Sequence, residues 1–292
     1  MNRPLALGSP AEFRADRLVD VLVPTRNRPA ELAVTLAGLA AQGGVPGFGV
    51  VVSDQSDGDP AYAHPAAATM VRALRHAGHP VLLTRRLPRR GLAEHRAYLL
   101  AASSARYVLN LDDDVWLEPG ALHRLVTAIE ELGCGFVGNG VHGLSYTEDV
   151  RPDTHRHYEE WAGRPVPERI RPGTPEWDRA RIHSAANLLH VTAELALPPG
   201  AWRAYKVSWI GGCVLYDRAK LVDSGGFDFW RRVHERHQGE DVAAQLAVLA
   251  RHGGAGILPS GAYHLETPTT VTERDVEAWE VVLADEDTPQ PA

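Results

Sequence analysis

Between residues 18 and 111 the sequence alternates short apolar runs with longer segments that have helical periodicity. The longer segments predict helices, which begin near residues 29, 61 and 91. The apolar runs predict four strands, at 18–23, 50–53, 81–84 and 107–111. Strands that alternate with helices of this length form a layered α/β fold around a mainly parallel sheet, and we expect that architecture here.

Polar clusters follow three of the predicted strands, at the point where each strand ends. They occupy residues 24–28, 54–59 and 112–114. In an open α/β sheet, ligands bind outside the carboxyl ends of the strands. The three clusters therefore predict a single ligand site at one edge of the sheet.

The sequence changes character after residue 140. Residues 141–206 are rich in Pro, Arg, His and Trp, and only one helix is predicted there, near 177–189. Regular patterns return with a predicted strand at 209–216 and an amphipathic helix at 241–252. We expect an N-terminal extension at 1–17, a first half at 18–140, a second half at 141–270 and a C-terminal tail at 271–292.

The composition narrows the class of protein. The formal net charge is −7, which disfavours nucleic acid as a partner. Cys134 and Cys213 are too few for a disulfide framework, and we interpret both as core residues. No window approaches the roughly 18–20 apolar residues of a transmembrane helix, and the N-terminus lacks the apolar core of a secretory signal. We therefore expect a cytoplasmic protein, free or attached to a membrane surface.

Three consecutive aspartates, Asp112, Asp113 and Asp114, directly follow the fourth predicted strand. We call them the acid triplet. In an extended backbone side chains alternate, so Asp112 and Asp114 are expected to face one side and Asp113 the other. Carboxylates paired at the end of a buried strand suit Mg²⁺ or Mn²⁺, which complete their shell with phosphate oxygens and water. A solvated acidic turn or a helix cap would use the same residues.

A second acidic position opens the amphipathic helix of the second half. Asp241 can stabilise that helix as a first-turn acid, or it can act as a general base that removes a proton from a hydroxyl. His264, which follows a predicted strand at 256–259, can be a hydrogen-bonded histidine, a metal ligand or a phosphate contact. The residue types alone leave these alternatives open.

In their order along the chain, these segments resemble the inverting glycosyltransferase family 2. The resemblance covers about residues 18–266 except the middle segment, and the first of the family's usual paired aspartates is replaced by Ser53. The matching segments are the strand and loop at 21–29, the turn at 51–56, the helix at 91–99, the Asp-x-Asp motif with its proline at 111–119, the glycine-containing segments at 210–215 and 225–228, and Gly239-Glu240-Asp241.

The resemblance implies a GT-A fold, in which the first half binds a nucleotide sugar and the second half binds the acceptor. It implies Asp241 as the catalytic base and a Mn²⁺ or Mg²⁺ ion held by Asp114, Asp112 and His264. It places the donor, with a UDP-sugar favoured, at Pro24, Thr25, Arg28, Asp54, Arg96, Asp112 and Asp113. It places a small-molecule, lipid-linked or glycan acceptor at Trp209, Gly211, Gly212 and Glu240.

Two other interpretations compete with a hexosyl or related sugar transferase. A phosphatase of the haloacid dehalogenase type needs Thr or Val at the fifth position of its acid motif, where this chain has Trp116. It also needs a downstream lysine, and only Lys206 and Lys220 are available. A catalytically silent nucleotide-sugar or glycan-binding protein of the same fold is disfavoured because the acids of the site are all retained.

Overall fold

The computed structural model describes residues 17–45, 47–270 and 274–286, together with Leu5, Gly8, Ser9 and Phe13. Its strands are β1 (Val19–Thr25), β2 (Gly49–Asp54), β3 (Val81–Arg85), β4 (Tyr107–Leu111), β5 (Val115–Leu117), β6 (Phe136–Gly138), β7 (His142–Gly143), β8 (Arg203–Tyr205), β9 (Cys213–Asp217), β10 (His237–Gln238), β11 (Gly254–Leu258), β12 (Ala262–His264) and β13 (Val276–Glu277). Its helices are α1 (Pro29–Ala40), α2 (Pro65–His76), α3 (Leu92–Ala102), α4 (Ala121–Leu132), α5 (Pro152–His155), α6 (Asn187–Leu195), α7 (Arg218–Asp223), α8 (Glu240–His252) and α9 (Ala278–Glu286).

Eight strands form one mixed, mainly parallel sheet in the order β3-β2-β1-β4-β9-β6-β11-β8. The strands β1 to β4 are mutually parallel, β9 runs antiparallel to both β4 and β6, and β8 runs antiparallel to β11. From β1 the chain adds β2 and then β3 along one edge of β1, and it then returns to place β4 along the other edge of β1. The crevice above β1 and β4 is therefore the point where such a sheet opens for a ligand. The expected fold class is confirmed.

Both faces of the central strands are buried, which explains why their sequences appear as continuous apolar runs. Val21 and Val23 pack into the hydrophobic cluster that also holds the apolar residues of α1 and α4. Leu22, which points the opposite way, packs into the cluster that contains those of α3 and α8. The alternation along β1 thus fixes the helices on either side of the sheet.

Two predicted elements differ from the structure. The helix expected near 177–189 is instead a 3-10 helix, Trp177–His183, followed by α6. Between them Ala185 has a φ of 52°, which no continuous right-handed helix allows. The strand expected at 209–216 begins only at Cys213, because Gly212 has a φ of 79° and turns the chain.

The two expected halves share the central sheet, since β9 and β11 come from the second half and β4 from the first. Most of the expected extension at 1–17 and of the tail's last residues lies outside the described part of the chain. Among the described residues, no helix combines the length and the apolar character required to cross a membrane.

One buried amide joins the helix layer to the region beside the acid triplet. Gln42, just beyond α1, donates through Nε2 to the carbonyl oxygens of Gly38 and Glu118, at 2.9 Å each. Its Oε1 accepts the N–H of Leu122 at 3.1 Å. This side chain therefore ties α1 to the start of α4.

We expect Gln42→Leu to lower the free energy of unfolding by about 1–3 kcal/mol, because the Leu122 N–H and the Glu118 carbonyl lose their partner. Glu131→Gln on the exposed face of α4 is the control and should change stability by less than about 0.5 kcal/mol. Urea unfolding followed by circular dichroism measures both. Equal midpoints for Gln42→Leu and the wild type would contradict this role.

Candidate active site

A cleft of about 850 Å³ lies beyond the carboxyl ends of β1, β2 and β4. The acid triplet lies in it, beside the loops that follow β1 and β2. Arginines contribute much of its remaining polar surface, and a stretch near the chain's end closes one side. The side chains lining it include Pro24, Thr25, Arg26, Arg28, Gln55, Arg89, His95, Arg236, His264, Thr267, Thr269, Thr270 and Arg274.

The acid triplet forms a turn and does not continue β4, so the predicted alternation of its side chains is wrong. β4 ends at Leu111, and the N–H of Val115 reaches the Asp112 carbonyl at 3.3 Å. As a result Asp113 and Asp114 face the same guanidinium, while Asp112 faces another. A period of two applies only where the backbone is extended.

The backbone of the acid triplet is held from three sides. The hydroxyl of Thr35 in α1 donates to the Asp113 carbonyl oxygen at 2.8 Å. The Asp112 N–H donates to the Gly212 carbonyl at 2.9 Å, and the Leu265 N–H donates to the Asp114 carbonyl at 2.9 Å. The turn is therefore positioned by both halves of the chain.

Arg28 neutralises two of the three acids. Its Nη1 lies 3.0 Å from Asp113 Oδ1 and 2.5 Å from Asp114 Oδ2, and its Nη2 donates to the Pro268 carbonyl. Thr25 donates to Asp113 Oδ2 at 2.7 Å. Burial raises the pKa of Asp113 to about 7 in spite of the Thr25 hydroxyl and Arg28. Burial also opposes the charge of Arg28, but the two carboxylates outweigh it and raise its pKa.

Asp114 and His264 face each other across the end of β12. Their Oδ2 and Nε2 atoms are 3.4 Å apart. Burial raises the pKa of Asp114, but the contacts with His264 and Arg28 outweigh it and the net shift is downward. The hydrogen bond to Asp114 raises the pKa of His264. Within the described ranges, no three His, Cys, Asp or Glu side chains are grouped closely enough to hold a metal ion on their own.

Arg96 in α3 connects the cleft to the acidic start of α8. Its Nη2 donates to Asp112 Oδ1 at 2.8 Å and its Nε donates to Glu240 Oε1 at 2.8 Å. Burial lowers the pKa of Arg96, but Asp112 and Glu240 outweigh it and raise it overall. The guanidinium is buried at 5% exposure, so its expected contact with a donor phosphate stays a prediction.

Asp241 is half-buried at the first turn of α8, and its carboxylate is close enough to Arg96 and Asp112 to interact with both charges. A Cβ added at the exposed Gly211 would lie 3.8 Å from Asp241 Oδ2, so the carboxylate borders a position with no side chain. Burial and the neighbouring Glu240 raise the pKa of Asp241, and Arg96 only partly offsets them. A carboxylate with a raised pKa is a stronger base than an ordinary aspartate.

The residues expected on the acceptor side divide into two groups. Trp209, Gly211 and Gly212 lie together beside α8, because Gln245 binds the N–H and the carbonyl of Ile210 at 2.8 and 2.7 Å. Glu240 instead turns inward to Arg96 and is buried. Its expected contact with an acceptor stays a prediction.

The turn after β2 places different side chains in the cleft from those expected. Asp54 is fully buried, and its carboxylate accepts from the Ser56 N–H, the Ser56 hydroxyl and the Ala61 N–H. The next residue, Gln55, lines the cleft, and its Nε2 has no hydrogen-bond partner among the residues that the structure describes. Contact between Asp54 and a base therefore stays a prediction, while Asp54 demonstrably shapes the turn that presents Gln55.

Several residues of the cleft were not identified from the sequence. His95 in α3 faces the Ser53 hydroxyl at 2.8 Å, and burial lowers the pKa of the imidazole to about 3, so it is neutral. Arg236 and the threonines after residue 266 reach the cleft from the far end of the chain. The position of His95 beside Arg96 in a predicted helix is a weak local signal for His95. No local pattern marks Arg236 or the threonines, because only long-range folding brings them to the cleft.

The fold resembles that of several solved structures. TarS 1-349 from S. aureus aligns with a TM-score of 0.51 and 18% identity, over 85% of this chain and 60% of that chain. Its complex with UDP-GlcNAc aligns with a TM-score of 0.51 and 17% identity, over 89% and 62%. The mannosyltransferase PcManGT from Pyrobaculum calidifontis, in complex with GDP-Man and Mn²⁺, aligns with a TM-score of 0.51 and 14% identity, over 92% and 62%. This chain spans about three fifths of the length of these structures.

Among curated proteins, none matches the sequence. The family described as Glycosyl transferase family 2 matches residues 20–187, which is more than half of the chain. The matched span contains the loops after β1 and β2 and the acid triplet, and it ends before Asp241. The GT-A fold and the sequence match together replace the phosphatase interpretation: this chain belongs to glycosyl transferase family 2.

Proposed function

We propose that this protein transfers a sugar from a nucleoside diphosphate sugar to an acceptor hydroxyl, with a divalent metal and with inversion at the anomeric carbon. The observation that carries the proposal is the acid triplet, which lies at the carboxyl end of β4 inside the cleft and next to Arg96 and Asp241. A donor site and a base lie on two sides of Asp112. A direct displacement needs that arrangement, with the leaving group and the attacking hydroxyl on opposite faces of the sugar.

The cleft suits a nucleoside diphosphate. Its lining includes Pro24 and Gln55 together with the guanidinium groups of Arg26, Arg28 and Arg89, which suit phosphate oxygens. The related structures were solved with UDP-GlcNAc and with GDP-Man. A UDP-sugar is the donor we propose first, with Asp54 acting through the turn that carries Gln55.

The residues at the acid triplet fit a divalent cation. Asp114 and His264 supply an oxygen and a nitrogen 3.4 Å apart, and Asp112 lies at the same turn with a third of its side chain exposed. Mn²⁺ and Mg²⁺ bind few protein groups in such sites and take their other ligands from substrate phosphates and water. When bound, the cation supplies neutralising charge to the diphosphate leaving group. Arg28 and Arg96 supply further positive charge on either side.

Asp241 is the proposed base. Its carboxylate accepts the proton of the acceptor hydroxyl while that oxygen forms the new bond to the anomeric carbon. The bond between the anomeric carbon and the diphosphate oxygen breaks in the same displacement, and the nucleoside diphosphate leaves with the electron pair. Glu240 and Arg96 position Asp241 through the first turn of α8.

Calorimetric titration with UDP, GDP, dTDP and CDP, each with Mn²⁺ or with EDTA, tests the proposed donor site. We expect one nucleotide, with UDP favoured, to bind in Mn²⁺ and to bind at least about tenfold more weakly in EDTA, because a cation held at Asp114 and Asp112 would supply positive charge for the diphosphate. If no nucleotide binds under either condition, the proposal is wrong. Equal nucleotide affinity in Mn²⁺ and in EDTA would show that donor binding does not require the metal.

We expect Asp114→Ala to abolish the dependence of nucleotide affinity on Mn²⁺, because it removes the carboxylate that faces His264. Asp223→Asn is the matched control, since that acid is exposed and pairs with Arg251 and His252. Calorimetry in Mn²⁺ and in EDTA measures both variants. A metal dependence that survives in Asp114→Ala would show that the cation is held elsewhere.

We expect Asp241→Asn to keep nucleotide binding and to lose about 10²- to 10⁴-fold in transfer rate, the usual cost of a missing base. In the wild type, kcat/KM should fall as the pH is lowered through the raised pKa of Asp241, because the base must be deprotonated to act. That fall should occur well above the pKa of about 3.9 of an ordinary aspartate. Near-normal transfer by Asp241→Asn would assign Asp241 to helix stabilisation only.

A further inference from the structure

Three tryptophans from distant parts of the sequence meet beside α8, and we call them the tryptophan cluster. The ring of Trp177, in the middle segment, lies 4.6 Å from that of Trp209 and 4.8 Å from that of Trp279 in α9, measured between centroids. In both pairs the two ring planes are inclined to each other at 59°. All three side chains are only partly buried, so their outer faces form part of the protein surface.

The tryptophan cluster flanks the turn that carries Asp241. On one side, Gln245 holds Ile210, and with it Trp209 and Gly211, against α8. On the other side, a Cβ added at Gly239 would lie 2.9 Å from Trp279 Cδ1. Because Gly239 and Gly211 both border the first turn of α8, the tryptophan cluster lies beside the turn that carries the proposed base.

The polar groups of the tryptophan cluster favour a hydroxylated ligand. The indole N–H of Trp279 donates to Glu277 at 2.9 Å. The indole N–H groups of Trp177 and Trp209 meet no partner among the residues that the structure describes, and neither is sealed from solvent. Two free donors beside apolar ring faces suit a molecule with hydroxyl groups around an apolar face.

The charges around the tryptophan cluster favour a neutral or amine-bearing ligand. Glu277 accepts from the Trp279 N–H, and Glu240 and Asp241 open α8, which the tryptophan cluster flanks, with Arg96 as the buried counter-charge of Glu240. An anionic group bound at the cluster would meet these like charges.

Building on the proposed function, we propose that the tryptophan cluster is the acceptor-binding surface and that the acceptor is a neutral or amine-bearing sugar ring. The ring lies with its C–H face on the indoles of Trp177 and Trp209 and directs one hydroxyl to Asp241. Trp209 and Trp279 lie beyond the span that matches the family, residues 20–187.

Saturation-transfer NMR titration with four probes tests the proposal without a donor. The probes are methyl glucoside, methyl glucosaminide, methyl glucuronide and phenol. We expect the first two to bind the wild type, and the glucuronide and phenol to bind at least about tenfold more weakly. The proposal is overturned if neither of the first two binds, or if the glucuronide or phenol binds as well as they do.

Variants locate the binding surface. Trp177→Leu and Trp209→Leu should each weaken glycoside binding about tenfold, whereas Trp209→Phe, which keeps a ring, should weaken it less. Trp230→Leu, outside the tryptophan cluster, is the control and should leave glycoside affinity unchanged. Unchanged affinity in both cluster variants would refute the proposal.

The same variants are titrated with UDP and Mn²⁺, and nucleotide affinity should stay within about twofold of the wild type. A cluster variant that loses nucleotide and glycoside binding together contradicts a separate acceptor surface. If the wild type binds glycosides but no nucleotide, the proposed donor chemistry fails while the acceptor surface stands. The two proposals can therefore fail separately.

Discussion

Mutual repulsion among carboxylates is the constraint around which this site is built. The acid triplet, Glu240 and Asp241 bring five acidic groups together, and two buried guanidinium groups, those of Arg28 and Arg96, contact four of them. Burial makes each uncompensated charge costly, which is why the pKa values of Asp113 and Asp241 are raised. A region with this charge balance attracts cations and protonated groups and accepts protons readily.

The sheet makes this crowding tolerable because it fixes the acids through the backbone. The order of β1 and β4 places the loop after one strand beside the turn after the other. Thr35, Gly212 and Leu265 then hold the carbonyl and amide groups of the turn from three elements. The backbone of the turn is thus fixed independently of the ion pairs that its carboxylates make with Arg28 and Arg96.

The sheet and the acid triplet could be predicted from the sequence because their signals are local. Apolar runs, helical spacing and acids directly after β4 are visible within short windows. The direction of the acid side chains could not be predicted from the sequence. It depends on where β4 ends, and the pairing of β4 with β9 determines that end. The burial of Glu240 and Asp54 could not be predicted either, because only the folded chain brings their partners Arg96 and Ala61 to them. The meeting of Trp177 with Trp279 has no signature within any window.

The contact between Arg28 and the Pro268 carbonyl connects the acid triplet to the stretch that closes one side of the cleft. The same guanidinium balances Asp113 and Asp114, so it cannot follow a new anion without releasing one of its present partners. An anion that drew Arg28 toward itself would have to break the hydrogen bond to the Pro268 carbonyl or one of the two ion pairs. The charge balance of the cleft and the attachment of the stretch around residue 268 therefore depend on the same side chain.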